Sequence, residues 1–92
     1  MIKEVWISEP IVDIHHDTAD VILTLDDGRS YSFTAWTPQS LSDYFEREGQ
    51  SCLICEDLLV VRELTPETIR AAMERLAANY DLERYGIRQS EE

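Results

Sequence analysis

Residues 20–36 read Asp20-Val21-Ile22-Leu23-Thr24-Leu25-Asp26-Asp27-Gly28-Arg29-Ser30-Tyr31-Ser32-Phe33-Thr34-Ala35-Trp36, and the way this stretch turns back on itself decides the fold. Val21, Leu23 and Leu25 alternate in the first arm, Tyr31, Phe33 and Ala35 in the second, with a turn signal between them. That is the pattern of a β-hairpin. A slip of one residue in pairing sends every side chain to the opposite face, so the loop length sets the core. If Asp27-Gly28 were a two-residue loop, Leu25 would oppose Ser30 and the two hydrophobic sets would face apart. A three-residue loop, Asp26 to Gly28, instead sets Leu25 against Arg29, Leu23 against Tyr31 and Val21 against Phe33. It corresponds to a type I turn closed by a glycine at positive φ, with a G1 bulge. The three-residue loop is therefore expected.

Working outward, residues 3–14 read as strand, with Val5 and Ile7 alternating before Glu9-Pro10 and Val12 and Ile14 continuing. Proline has no amide proton for a ladder, so Pro10 marks an edge, a bulge or a break. His15 to Asp20 make a polar connection to the hairpin. On the far face the alternation leaves Ile22, Trp36 and Trp6, a patch suited to a partner or to self-association.

After the hairpin, Thr37-Pro38 announces a helix, threonine as N-cap and proline at the first helical position, where the missing amide proton is harmless. It should run from Pro38 to about Glu48, with Leu41, Tyr44 and Phe45 on one stripe and Gly49 as the stop. Residues 52–62 read as strand again. The continuous run Leu58-Leu59-Val60-Val61 suits a strand covered on both faces or abutting a second subunit. Whether 52–55 forms a separate short strand stays open. Thr65, Pro66 and Glu67 then start a second helix, with Leu64 able to reach Ile69 as a hydrophobic staple. Ile69, Ala72, Met73, Leu76 and Tyr80 follow at helical spacing. Leu82 and Tyr85 are expected to pack as a last turn before Gly86, and residues 88–92 to fray.

The expected architecture is α+β: an antiparallel sheet of four strands, five if 52–55 counts separately, in order β-β-β-α-β-α, with both helices on one face. Ninety-two residues make one domain, placed at 1–87, with a tail at 88–92. No basic region followed by an apolar run and a cleavage site opens the chain, and no apolar run is long enough to span a bilayer. Two cysteines close in sequence do not make a secreted disulfide framework, so a reducing cytoplasm is expected.

Eight Lys and Arg stand against nineteen Asp and Glu, a net charge of −11. Direct nucleic-acid binding needs a basic footprint, which this chain lacks. Six acids and no Lys or Arg fall in 9–27, and five acids with only Arg47 in 43–57, whereas from residue 65 onward six acids meet four arginines. The negative field thus belongs mainly to the strand half, where it favours basic partners.

No constellation of catalytic residues emerges. Cys52-Leu53-Ile54-Cys55 has the spacing of a redox pair or half a zinc site. A redox pair needs a helix N-terminus and a zinc site needs two further ligands, so buried thiols in a strand are expected instead. His15-His16 point to opposite faces if extended, and join a Cys2His2 set only from a loop. Asp13, Asp17, Asp20, Asp26 and Asp27 lack the spacing of a calcium-binding EF-hand. None of Ser8, Ser30, Ser32, Ser40 and Ser42 sits in a nucleophile elbow, and no phosphate-binding glycine loop occurs. No enzyme activity, cofactor or metal is expected.

The order Val21-x-Leu23-x-Leu25-Asp26-Asp27-Gly28, an aromatic and Thr37-Pro38 opening a helix, then Cys52-Leu53, Asp57-Leu58-Leu59-Val60-Val61 and Leu64-Thr65-x-Glu67-x-Ile69 resembles small bacterial proteins of the immunity type. The resemblance covers about residues 20–76. It implies an acidic protein encoded beside a secreted toxin of a contact-dependent or type VI system, acting by binding that toxin. Together with the charge, it leads to the expectation of a non-catalytic protein that neutralises a basic toxin domain, such as a nuclease. Asp17, Asp20, Asp43 and Glu46 are then candidates for pairing with Lys or Arg, and Trp36 for an anchor. The alternative is a structural or interaction module that homodimerises through the apolar sheet face or a strand edge.

Overall fold

A computed structural model describes residues 2–8, 11–54, 57–80, 82–85 and 87–88. It is α+β, with one five-stranded sheet: β1 (Ile2–Ile7), β2 (Ala19–Leu25), β3 (Ser30–Trp36), α1 (Pro38–Glu48), β4 (Leu58–Val60), α2 (Pro66–Asn79), a single turn α3 (Leu82–Tyr85) and β5 (Ile87–Arg88). The hairpin has the expected register, Leu23 opposite Tyr31 and Val21 opposite Phe33. Its loop is the three-residue kind. The Gly28 amide donates to the Leu25 carbonyl at 3.0 Å, the Leu25 amide donates to the Arg29 carbonyl at 2.8 Å, and Gly28 carries a φ of 93°.

That register sends Val21, Leu23, Leu25, Tyr31, Phe33 and Ala35 to one face, where all are buried. Val5 and Ile7 join them from β1 opposite Leu23 and Val21. Ile2 is of the wrong parity to follow, yet it packs against the same core because the register shifts between Ile2 and Glu4. A one-residue bulge at Lys3 resets the alternation.

The sheet is mixed, which corrects the expectation of a wholly antiparallel one. β4 pairs with β3 in parallel, Ala35 opposite Leu59. The reason lies in the connection. A tight turn returns a strand antiparallel, whereas α1 carries the chain back along the sheet, so that the next strand starts at the same end as β3. β5 pairs antiparallel with the other end of that β3 edge, Ser32 opposite Ile87 and Tyr31 opposite Arg88. The fifth strand is therefore the C-terminal one, which reaches Arg88, and residues 52–54 form no strand.

α2 closes the core. Thr65 caps it, its hydroxyl accepting from the Thr68 amide at 3.3 Å, and Leu64, Ile69 and Met73 are fully or almost fully buried. Leu64 precedes the cap and Ile69 is the fourth helical residue, the two positions of a hydrophobic staple. Tyr80 does not extend this stripe. The helix has ended at Asn79, and Tyr80 is 46% exposed. Leu82 on α3 rejoins the core.

α1 has the expected bounds, Thr37 cap and left-handed Gly49 stop, but it does not share α2's face. It contributes none of the buried hydrophobic cluster among the described residues. Tyr44 instead meets Trp36 edge-on, ring centroids 5.7 Å apart, and strand alternation puts Trp36 on the reverse face from Tyr31, Phe33 and Ala35.

Two further expectations are corrected. The first strand stops at Ile7, and residues 11–18 form a loop in which Val12 is 87% exposed. Residues 52–54 are loop, with Cys52 and Ile54 exposed. Cys52 is thus no core thiol, because no strand carries it inward. Readings that concern Pro10, Cys55, Gly86 and the Tyr85 side chain fall outside the described residues.

Candidate functional site: the acidic loop and the first helix

The loop between β1 and β2 is where both long helices are anchored. Asp13 starts it as a turn, its carboxylate accepting from the His15 amide at 3.0 Å and its carbonyl from the His16 amide at 3.3 Å. Short acidic side chains favour such local bonds over strand pairing. The His15 amide bond, with lesser help from His15 and His16 charge, holds the Asp13 carboxyl below its ordinary pKa.

The next two carbonyls face the helix starts. Ile14 accepts from the Leu64 amide at 2.8 Å, just ahead of α2, and His15 accepts from the Thr37 hydroxyl at the head of α1. Thr37 and Ser40 are buried and complete the cap between themselves. The Ser40 amide donates to the Thr37 hydroxyl oxygen at 3.0 Å, and the Thr37 amide to the Ser40 hydroxyl oxygen at 2.8 Å. A reciprocal box of this kind satisfies donors that a helix start otherwise leaves unpaired.

His16 then reaches Asp43 on α1, Nδ1 to Oδ2 2.8 Å, with both side chains about half exposed. The hydrogen bond to Asp43 raises the imidazole pKa above its ordinary value, assisted by the charges of Asp43 and Asp13. Asp17 turns inward on its own loop, its carboxylate accepting from the Thr18 amide at 2.8 Å and the Val12 amide at 3.3 Å. Of the five candidate residues, Asp17 and Asp43 are therefore brought to one neighbourhood, each already engaged within the chain.

The other three lie apart from that loop. Asp20 is exposed opposite Thr34 on the reverse face of the sheet. Glu46 is exposed one turn beyond Asp43 on α1. No cation among the described residues pairs with either carboxylate. Trp36 is half-buried in an aromatic group of its own chain, packed on Tyr44, which in turn meets Phe45 at 5.7 Å and lies 5.9 Å from the Arg47 guanidinium. Its indole Nε1 is buried with no acceptor.

Apart from His16–Asp43, the ion pairs among the described residues are local in sequence. Arg29 takes Asp27 at 2.8 Å, Arg47 takes Glu48 at 3.1 Å, and Arg70 takes Glu74 at 3.4 Å. None bridges the acidic half to the arginines of α2. What this surface offers chemically is hydrogen-bond acceptance and negative charge. Among the described residues, no three side chains of His, Cys, Asp or Glu are placed to share a metal ion, and no helix is long and apolar enough to cross a membrane.

Two features of the fold have no clear signal in the sequence. His16 takes Asp43 as its partner, 27 residues away, with no local signal joining them. The second is a groove of about 450 Å³ between β4 and α2, lined by Leu59, Val60, Ala71, Ala72, Leu76 and Tyr80 together with Arg75. The alanines at 71 and 72 were its only trace in the sequence. Comparison with protein-family models, curated proteins and solved structures finds no match to this chain.

Proposed function

We propose that this chain is a non-catalytic, cytoplasmic binding protein that neutralises a basic toxin domain, such as a nuclease, by stoichiometric association. The observation that carries this reading is the placement of its charge. A net charge of −11 sits on a surface where Asp20, Asp26, Glu46 and Glu67 have no cation partner among the described residues. Uncompensated exposed carboxylates attract Lys and Arg and speed association with a cationic surface. The resemblance to immunity-type proteins points the same way.

The test is titration against the catalytic domain of a toxin encoded beside this gene, read by calorimetry and by residual nuclease activity. One-to-one inhibition is expected. Affinity should fall steeply between about 50 mM and about 500 mM salt, as the screening length shortens. Replacing Asp20 and Glu46 together by lysine should slow association and leave the unfolding midpoint unchanged. An affinity that stays flat with salt would overturn the electrostatic basis of the proposal.

A second reading is a module that homodimerises through an apolar sheet face or a strand edge. It is favoured by Trp6, 48% exposed beside Ile22 on the reverse face. Light scattering on the purified chain separates the two: a stable dimer supports the module, a monomer the inhibitor.

A further inference from the structure

β4 is the outermost strand at its end of the sheet. Its bonds to β3 run through the Asp57 carbonyl, which accepts from the Thr34 amide at 2.9 Å, and the Val61 amide, which donates to the Trp36 carbonyl at 2.8 Å. Strand alternation then directs the backbone groups of Leu58 and Val60 away from β3, toward an edge that pairs with no strand among the described residues. Beside that edge lies the groove between β4 and α2. Ala71 and Ala72 bring only methyl groups to it, and Leu59, Leu76 and Tyr80 line it as well. A strand laid along β4 would turn every second side chain into it.

Arg75 lines the groove too and is exposed. Its neighbour Arg70 is taken by Glu74, but among the described residues no carboxylate pairs with Arg75, in a chain that carries nineteen acids. From residue 65 onward the chain is nearly neutral, so the acidic field is concentrated elsewhere. A second copy is a poor occupant, since it would pair one edge of three residues with another.

We propose that this edge and groove bind an extended peptide segment of a partner protein, which pairs with β4 as an added strand, seats an apolar side chain against Leu59 and Leu76, and sets a carboxylate on Arg75. Main-chain bonds to the edge give such a complex its affinity, and the groove and the arginine give it selectivity. The surface is separate from the acidic one, and the proposal stands or falls independently of toxin binding.

The test uses a fluorescein-labelled peptide that alternates valine with threonine and ends in aspartate, beside the same peptide ending in lysine. Anisotropy is read at about 0.15 M salt, where charges beyond about 8 Å are screened. The intact chain should bind the aspartate peptide about tenfold more tightly than the lysine peptide. Arg75→Glu should reverse that order. Val60→Pro removes an amide that faces away from β3, a position where an edge strand tolerates proline, and should abolish binding of both peptides. If Val60→Pro unfolds the chain, Arg75→Glu, on the exposed face of α2, still decides the matter. No saturable binding of either peptide, or equal binding that ignores Arg75→Glu, overturns the proposal. So does a dimer of the intact chain that Val60→Pro converts to a monomer, since the occupant is then a second copy.

Discussion

Two single-residue deletions in the hairpin should have opposite outcomes. Deleting Asp27 leaves Asp26-Gly28 as a two-residue loop with Leu25 still opposite Arg29, and Asp-Gly suits the type I′ turn that such a loop requires. The pairs Leu23–Tyr31 and Val21–Phe33 persist. What is lost is the Asp27 carboxylate on the Arg29 amide and guanidinium, at 3.1 and 2.8 Å, on the exposed surface. Deleting Ser32 removes a residue from between Tyr31 and Phe33, and only one of the two aromatics can then keep its place on the core face. The cheapest rescue slides the N-terminal part of β3 forward, with the loop absorbing the slack, so that Phe33 and Ala35 stay buried and Ser30 takes the position of Tyr31. Tyr31 is wholly buried. Removing a large aromatic from a core costs about 3–5 kcal/mol, against a total stability of about 5–15 kcal/mol for a domain of ordinary size. Urea unfolding followed by far-UV circular dichroism reads the difference. At about 1 kcal/mol per molar, the Ser32 deletion should lower the midpoint by about 3 M or leave no folded baseline, while the Asp27 deletion shifts it little. Equal midpoints for the two deletions would refute the register argument.

Gly28 and Gly49 both have open space where a Cβ would go, but their φ values differ, 93° against 67°. Gly49→Asn should therefore cost only a few tenths of a kcal/mol, because asparagine tolerates the left-handed region, whereas Gly28→Ala should cost about 1–2 kcal/mol; urea midpoints check both. Leu64→Ala empties one side of the staple and should destabilise the chain by about 2–5 kcal/mol in the same measurement. The His16–Asp43 bond raises the histidine pKa in the folded chain, so its contribution is full below the unfolded value of about 6.5. It is lost as pH rises through the raised folded value. The thermal midpoint of the native chain should consequently exceed that of Asp43→Asn at about pH 5.5 and converge toward it by about pH 8.5.

The parts of the fold that were legible in the sequence are those whose cause is local. Asp26-Asp27-Gly28 specifies a loop length, the loop length specifies a register, and the register selects the buried set from Val21 to Ala35. Thr37-Pro38 and Thr65-Pro66 specify helix starts within three residues of themselves. The misread parts depend on partners distant in sequence. Val12 and Ile14 carry strand character, but Asp13 and Asp17 bond to nearby amides and turn the chain out of the ladder. Leu58-Leu59-Val60-Val61 looks covered on both sides, yet only Leu59 and Val61 pack inward, and Leu58 and Val60 are left on an open edge. Its direction relative to β3 is set by the α1 crossover, not by any residue within it. The candidate site was legible as composition only, since excess acid gives a sign to the surface without saying which carboxylates are already engaged.

That distinction bears on how such a surface would bind. The loop at 13–17 is held at both helix starts through the Ile14 and His15 carbonyls, and Asp17 serves the loop itself, so its carboxylate positions the backbone before it meets any partner. Asp43 is held by a histidine that is neutral above its pKa and is readily displaced by an arginine, whose charge is permanent. Asp20 and Glu46 carry no such prior engagement, and they sit on a strand and a helix rather than on a mobile tip. Carboxylates fixed on rigid elements lose little conformational entropy on association. A cationic partner would therefore draw its affinity first from Asp20 and Glu46, and from Asp43 only where it supplies an arginine able to replace His16. Reversing Asp20 and Glu46 should weaken such a complex more than reversing Asp17, whose loss would act mainly through the shape of the loop.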